Sequence, residues 1–267
     1  MSWTRNISWR SWKVWQRNRD VFFVTWKTNF LPSFIEPILY LLALGIGFGT
    51  FVQHFPPPYD KATYVQFLAP ALIAIQAMYG AFFECTYGSF VRMHFQKTYD
   101  AIVATPLTVE DVITGEIVWG ATKSFLNGTI VMVVVFFAGI ATGTTLITIP
   151  SLLIIPFICA LSGMAFASLA MTFTALVPNI DSFNIPFFLF FTPMFLLSGT
   201  FFPLNVLPQA IQDLAQVFPL THTTNLIRDP VLGIVGMQDL FGLIYLVLFT
   251  VFFFYLAVWL MQRRLVN

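Results

Sequence analysis

The chain has 267 residues, 58% of them hydrophobic and 9% charged, with a mean hydropathy of +0.80. That is far too apolar for a soluble domain, and at about 20 residues per membrane-spanning helix six spans and their loops leave no room for a large soluble enzymatic domain. Thirteen Lys+Arg against twelve Asp+Glu give a net charge of +1, so no overall field draws the chain to nucleic acid, and two cysteines, Cys85 and Cys159, supply neither a disulfide framework nor metal-ligand spacing.

Residues 1–28 carry Trp3, Ile7, Trp12, Trp15, Phe22 and Trp26 among Arg5, Arg10, Lys13, Arg17 and Arg19. A cleavable signal would place basic residues directly before an apolar core. Tryptophans interleaved with cations predict instead an amphipathic helix lying in the membrane interface, with Trp12, Trp15 and Arg17 as its working residues. Residues 29–267 then read as one all-α transmembrane domain. Runs free of Asp, Glu, Lys and Arg extend over Pro37–Tyr59, Ala62–Phe83 and Leu240–Gln262, each about one span long. Ser124–Ile180 is long enough for two spans, with a turn marked by Gly139, Gly143 and Pro150, and Ser182–Gln212 holds one span with an excess. The total is six, which puts both termini on one side. Ten basic residues, among them Arg92, Lys97, Arg263 and Arg264, fall on that side against Lys61 and Arg228 on the other, so the termini are expected in the cytoplasm.

Three connections differ in kind. Pro56, Pro57 and Pro58 predict a stiff outer turn. Residues 85–115 form the largest polar excursion on the inner side; within it Tyr99, Ala101, Ile102 and Val103 make a small apolar cluster beside Lys97 and Asp100, ended by Pro106. An apolar cluster with a polar rim on a loop reads as a contact surface. The outer segment 200–238 is unusual, because Ile211, Leu214, Ala215 and Phe218 repeat at helical spacing between Pro208 and Pro219, after Pro203, in a stretch too short to span. It reads as a re-entrant or interfacial helix.

Catalytic signatures are absent from the sequence. Gly45-Ile-Gly-Phe-Gly49 lacks the lysine and strand of a phosphate loop, and His54, His94 and His222 form no metal or triad motif. The pairs Gly45/Gly49 and Gly139/Gly143 read as close helix packing. Ionisable residues at membrane depth are Glu36, Glu84, Glu116 and Lys123, with Arg92 nearby on the inner side. They could pair among themselves or reach the headgroup layer, Glu116 with Lys123 being seven apart on one helix face, or they could relay protons.

The stretches Phe83-Glu-Cys-Thr-Tyr-Gly-Ser-Phe-Val-Arg-Met93, Gln96-Lys-Thr-Tyr-Asp-Ala101, Thr105-Pro-Leu107 and Gly115-Glu-Ile-Val-Trp-Gly-Ala-Thr-Lys123 resemble the permease subunit of type-2 ABC exporters, in the branch of the nodulation lipo-oligosaccharide and daunorubicin-type exporters. Leu197-Ser-Gly-Thr-Phe-Phe-Pro203, Leu207-Pro208, Pro219-Leu-Thr-His222 and Arg228 look like that family's outer segment. The resemblance implies an interface helix, six transmembrane helices, re-entrant outer helices between spans 5 and 6, and a coupling helix between spans 2 and 3 that touches an ATPase. It implies a non-catalytic subunit of the bacterial inner membrane, in a homo- or heterodimer of permeases surrounded by lipid and bound to two ATPase subunits. ATP and Mg would sit on those partners and no cofactor on this chain. The cargo would be a lipo-oligosaccharide, a glycolipid or polysaccharide, or a drug. The competing class is an ion-coupled secondary transporter or channel using Glu36, Glu84 or Glu116, against which no inverted repeat is visible.

Overall fold

The computed structural model describes residues 7–52 and 54–266; Trp3 and Arg5 lie outside the described residues. Helix α1 runs Ser11–Tyr40 and continues as a π-helical turn, Leu41–Ile46, and a 3-10 turn, Phe48–Thr50. The tryptophan-rich stretch and the start of the first apolar run therefore share one helix, which continues through Pro32 and Pro37.

Helix α2 spans Tyr64–Phe95. Thr63 caps it reciprocally with Gln66, each side chain accepting from the other's backbone N–H. It does not stop at Phe83, where the charge-free run ends. It passes through two π-helical turns, Glu84–Gly88 and Val91–Phe95, carrying Glu84 and Arg92 along the helix rather than on a loop. The segment expected to leave the bundle at residue 85 is thus shorter: residues 96–108, containing helix α3 (Thr98–Val103).

Helix α4 (Val109–Thr142) starts with a second capping box, Thr108 with Asp111, and ends at Gly143. Gly143 has φ 67°, and a side chain added at Gly139 would strike the Thr144 carbonyl at 2.8 Å. These two glycines therefore close a helix end, as a left-handed C-cap and a tight return. The expectation that they form a packing seam is corrected on this point. At Gly45 an added Cβ would meet only Val65 Cγ2, at 3.2 Å, and at Gly49 nothing. The close approach is elsewhere: at Gly120 an added Cβ would lie 2.6 Å from Cys85 Sγ and 2.9 Å from Ala167 Cβ, at Gly128 2.4 Å from Cys159 Sγ, and at Gly163 2.4 Å from Ser124 Cβ. Gly120, Ser124 and Gly128 recur every fourth residue, which puts them on one stripe of α4 facing α5.

The remaining elements are α5 (Ile149–Leu176), α6 (Ile180–Leu197), two short outer helices α7 (Gln209–Gln216) and α8 (Pro219–Leu232), and α9 (Met237–Val266). Helices α2, α4, α5, α6 and α9 are each long and apolar enough to cross a membrane, and Phe34–Thr50 is a shorter apolar helix. No strand occurs among the described residues. Helix α2 is the axis of the bundle, with α4, α5 and α8 packed on it and α9 against α5 and α8. Helices α6 and α9 turn large apolar side chains outward, including Phe188, Leu189, Phe241 and Phe252. A helix apolar on its outer face is stable in lipid or against another helix, not in water.

Candidate functional site

At the end of the bundle near the chain termini, α1, α2 and α4 bring six polar side chains together. Arg92 is central: its Nη1 lies 2.8 Å from Glu84 Oε1 and its Nη2 2.5 Å from Glu116 Oε2. Glu116 is 1% exposed and also accepts from Ser89 Oγ at 2.7 Å and from Asn18 Nδ2 at 2.9 Å. Lys123 Nζ lies 3.7 Å from the other oxygen of Glu84. Gly88 leaves room for the closure, since a Cβ there would come within 3.2 Å of Glu84 Oε1.

Buried ions are tolerable only when paired and hydrogen-bonded, and here two carboxylates meet two cations. The pairing differs from the Glu116–Lys123 contact along one helix that the spacing suggested: each carboxylate of the network reaches a cation on another helix, Glu116 on α2 and Glu84 on α4. Position along one helix cannot reveal how the neighbouring helix is rotated. Glu36 stands apart, accepting from Gln76 Nε2 at 2.7 Å. Since Glu84 and Glu116 are already compensated, protonating either would strand a buried cation, a poor arrangement for a proton carrier.

The N-terminal segment and the 96–108 segment are tied to this network and to each other. Ser8 donates through its backbone N and its hydroxyl to Asp111, Arg10 Nη1 donates to the Pro106 carbonyl at 2.9 Å, and Arg17 reaches Thr98 Oγ1 at 3.5 Å. Val14 seats on Gly115, where an added Cβ would be only 2.6 Å away. Trp15 stacks on Trp12 with ring centroids 4.0 Å apart and donates from its indole to Thr122 Oγ1.

Within the segment the roles expected of the apolar cluster separate. Tyr99 is 1% exposed and belongs to the chain's own core, where burial pushes its phenol pKa up with help from the charge of Glu116. It is not an outward anchor, and the reading of Tyr99 as a surface contact is corrected. Lys97, whose left-handed backbone (φ 53°) opens α3, points outward with Asp100, Ala101, Val103 and Pro106, while Ile102 is half-buried against the core. Trp9 is 76% exposed on the adjoining N-terminal stretch.

The opposite end holds the 200–238 segment. Pro203 opens a 3-10 turn, Pro208 caps α7, and Pro219 starts α8. A short helix thus sits between Pro208 and Pro219, as the spacing predicted. Of its apolar residues Ala215 and Phe218 are buried, Ile211 is half-buried and Leu214 is exposed. The second helix, α8, is polar in sequence yet mostly buried. Its Arg228, counted above as an ordinary outer basic residue, is 1% exposed: Nε donates to the Phe67 carbonyl at 3.0 Å, Nη2 to the Thr200 carbonyl at 3.3 Å, and the guanidinium lies 3.6 Å from the Phe67 ring centre. Its neighbour Asp229 accepts from Tyr59 Oη at 3.4 Å and is buried beside Asp239; burial first, and the Asp239 charge second, push its carboxyl up to about 7. Arg228 was legible only as a positive charge between two candidate spans, a signal that carries no information about burial.

A chain that is all-helical among the described residues, with five helices long and apolar enough to cross a membrane, is a multi-pass membrane protein in class. The sequence comparisons make the assignment specific: residues 7–232 match the ABC-2 type transporter family, and the chain belongs to that family. It is 38% identical to nodulation protein J of Sinorhizobium fredii over 258 residues, covering 95% of this chain and 93% of that one. Nodulation protein J of Rhizobium leguminosarum bv. viciae is 40% identical over 224 residues, 82% and 81% of the two chains. The inner membrane transport permease YadH of Escherichia coli K12 is 25% identical over 254 residues, 94% and 93%. No solved structure matches.

Proposed function

We propose that this chain is the membrane half of an ATP-driven exporter, acting as one of two permease subunits bound to two separate ATPase subunits that hold ATP and Mg. It carries an amphipathic cargo of the lipo-oligosaccharide kind out of the cytoplasm or the inner leaflet. In this reading the chain crosses a bacterial inner membrane six times, the helix Phe34–Thr50 being the first crossing, with both termini in the cytoplasm. The part of α1 before it lies along the membrane surface, and α7 and α8 form the re-entrant outer unit beside the cargo's exit.

The observation that supports it is the joining of the N-terminal segment and residues 96–108 into one unit through Asp111, Pro106 and Thr98, rooted on Glu116 and Arg92. A transport subunit without a nucleotide site can use ATP only by contact, and a contact transmits displacement only if its elements are stiffly attached to the spans. The ion-coupled alternative loses support at Glu84 and Glu116, which are matched by Arg92 and Lys123, and keeps only Glu36, which accepts from Gln76.

The test is co-expression with a candidate ABC ATPase subunit, co-purification in detergent, and ATP hydrolysis measured in proteoliposomes with and without a lipo-oligosaccharide. A stable complex whose hydrolysis rises with cargo is the expected result. A chain that never associates with an ATPase, and moves cargo on an imposed proton gradient, would refute the proposal.

A further inference from the structure

Two cavities meet on the flank where α1 lies against α4. The first, about 380 Å³, is polar at its floor: Arg17, Arg92 and Lys123 line it with Glu84. Even counting Glu116 behind it, cations outnumber carboxylates three to two. Arg17 is the source of the excess. It donates to Asn18 Oδ1 and Thr98 Oγ1, both neutral, and among the described residues no carboxylate lies within ion-pair distance of it.

The second cavity, about 400 Å³, is almost wholly apolar, walled by Trp15, Phe23, Trp26 and Leu126. Phe22 and Trp119 line both, so the two spaces share a wall. Lys123 Nζ sits 4.5 Å from the centre of the Phe22 ring, at the seam between the polar and apolar parts. Each volume suits a ligand fragment of ordinary size. Side by side they match a molecule with an anionic head and a hydrocarbon tail. The tryptophans and arginines of α1 are the residues that favour headgroup depth in a bilayer.

We propose that this double cavity is a binding site for one anionic phospholipid, its phosphate held by Arg17 with Lys123 and Arg92 behind, and an acyl chain lying against Trp15, Trp26 and Leu126. A lipid held there would join α1 to α4 by a contact additional to Val14–Gly115 and Asn18–Glu116. The site is independent of export, and the assay needs no ATPase, so its failure leaves the proposed function standing.

The test is native mass spectrometry of the full chain released from detergent after incubation with phosphatidylglycerol or phosphatidylcholine of identical chains. The wild type should retain phosphatidylglycerol about tenfold better, the scale of one charge-assisted contact. Arg17→Gln should abolish the preference and Arg17→Lys should preserve most of it, while Leu126→Trp, which fills the apolar half, should weaken retention of both lipids. Monodispersity and the melting temperature of each variant report folding. Equal retention of the two lipids by the wild type, or an undiminished preference in a folded Arg17→Gln, would overturn the proposal. So would equal thermal stabilisation by glycerol phosphate without chains, which marks a simple anion site, or displacement of the lipid by lipo-oligosaccharide, which marks a cargo site.

Discussion

Replacing Arg92 with Met removes the cation that neutralises Glu116 and half of what neutralises Glu84. Its ion pairs are short, at 2.8 and 2.5 Å, and both carboxylates are shielded, Glu84 at 14% and Glu116 at 1% side-chain exposure. Breaking a buried pair from one side costs about 3–5 kcal/mol. The cost should fall near the lower end, because Glu116 keeps Ser89 and Asn18 as donors and Glu84 keeps Lys123. Glu116→Gln should cost less alone, since the amide retains the shape and Arg92 retains Glu84. Combined, the two substitutions should cost less than their sum by about 1–3 kcal/mol, the coupling expected of residues in direct contact. The assay is unfolding of full-length protein in mixed micelles by SDS titration, followed by tryptophan fluorescence, as a double-mutant cycle. Additivity within about 0.5 kcal/mol would show that Arg92 and Glu116 do not interact as described. The pair Lys97–Asp100, 3.9 Å apart and about two-thirds exposed, is the internal control: Lys97→Ala should be near neutral, because solvent screens such contacts.

Gly120→Val and Gly128→Val should each lower the melting temperature sharply, because the new atoms enter space held by Cys85, Ala167 and Cys159, whereas Gly49→Ala should be silent; equal effects would place the helix seam elsewhere. Val103→Asp, at a position 42% exposed, should leave folding intact and weaken binding of the ATPase, while Tyr99→Asp should fail to fold; normal ATPase binding by folded Val103→Asp would remove α3 from the docking surface. Asp229 has a raised folded pKa, about 7, so its contribution to stability is complete below the ordinary carboxylate range and is lost as pH rises towards 7. Melting temperature measured from pH 4 to 8 should fall more steeply in the wild type than in Asp229→Asn, and parallel curves would refute the assignment.

Much of the architecture was legible because a bilayer imposes a length and excludes charge. The charge-free runs found α2, α4, α5, α6 and α9, and the Pro208 and Pro219 punctuation found α7. What stayed hidden depends on rotation about helix axes. The run Ala62–Phe83 ended where Glu84 began, yet α2 continues for three more turns, because Arg92, Lys123, Ser89 and Asn18 make those polar residues tolerable inside a bundle. Tyr99 looked like a surface anchor because a short segment shows no periodicity from which to choose a face. The stripe Gly120, Ser124, Gly128 was present as a spacing, but so were Gly45/Gly49 and Gly139/Gly143. Only the presence of α5 opposite the first stripe distinguishes a seam from a helix end.

The same rotations carry the mechanical argument. Residues 96–108 are attached to the bundle at both ends by helix, α2 before and α4 after, and laterally by α1 through Arg10 and Arg17. A push on that segment cannot be absorbed by bending a loop, because Thr108 and Asp111 cap α4 immediately behind it and Asp111 is itself held by Ser8. Displacement must pass into α4 and α2 together, and there the Arg92 network links the two helices by ion pairs that lengthen at a cost rather than slide freely. Beyond the network α4 meets α2 and α5 at Gly120 and Gly128, where the Cys85 and Cys159 side chains seat against its bare backbone. Small-residue contacts of this kind resist approach but offer little to hinder a rotation. The geometry therefore favours α4 turning as a rigid rod against α5, pivoting near its charged end. Gly120→Ala and Gly128→Ala should lower stability, since the added Cβ itself enters the space of Cys85 and Cys159, and should reduce transport by more than that loss accounts for, whereas Arg92→Met should reduce the two in proportion. Measuring cargo export beside the melting temperature for the three variants separates the two effects, and a loss of export proportional to the loss of stability in all of them would remove the pivot from the argument.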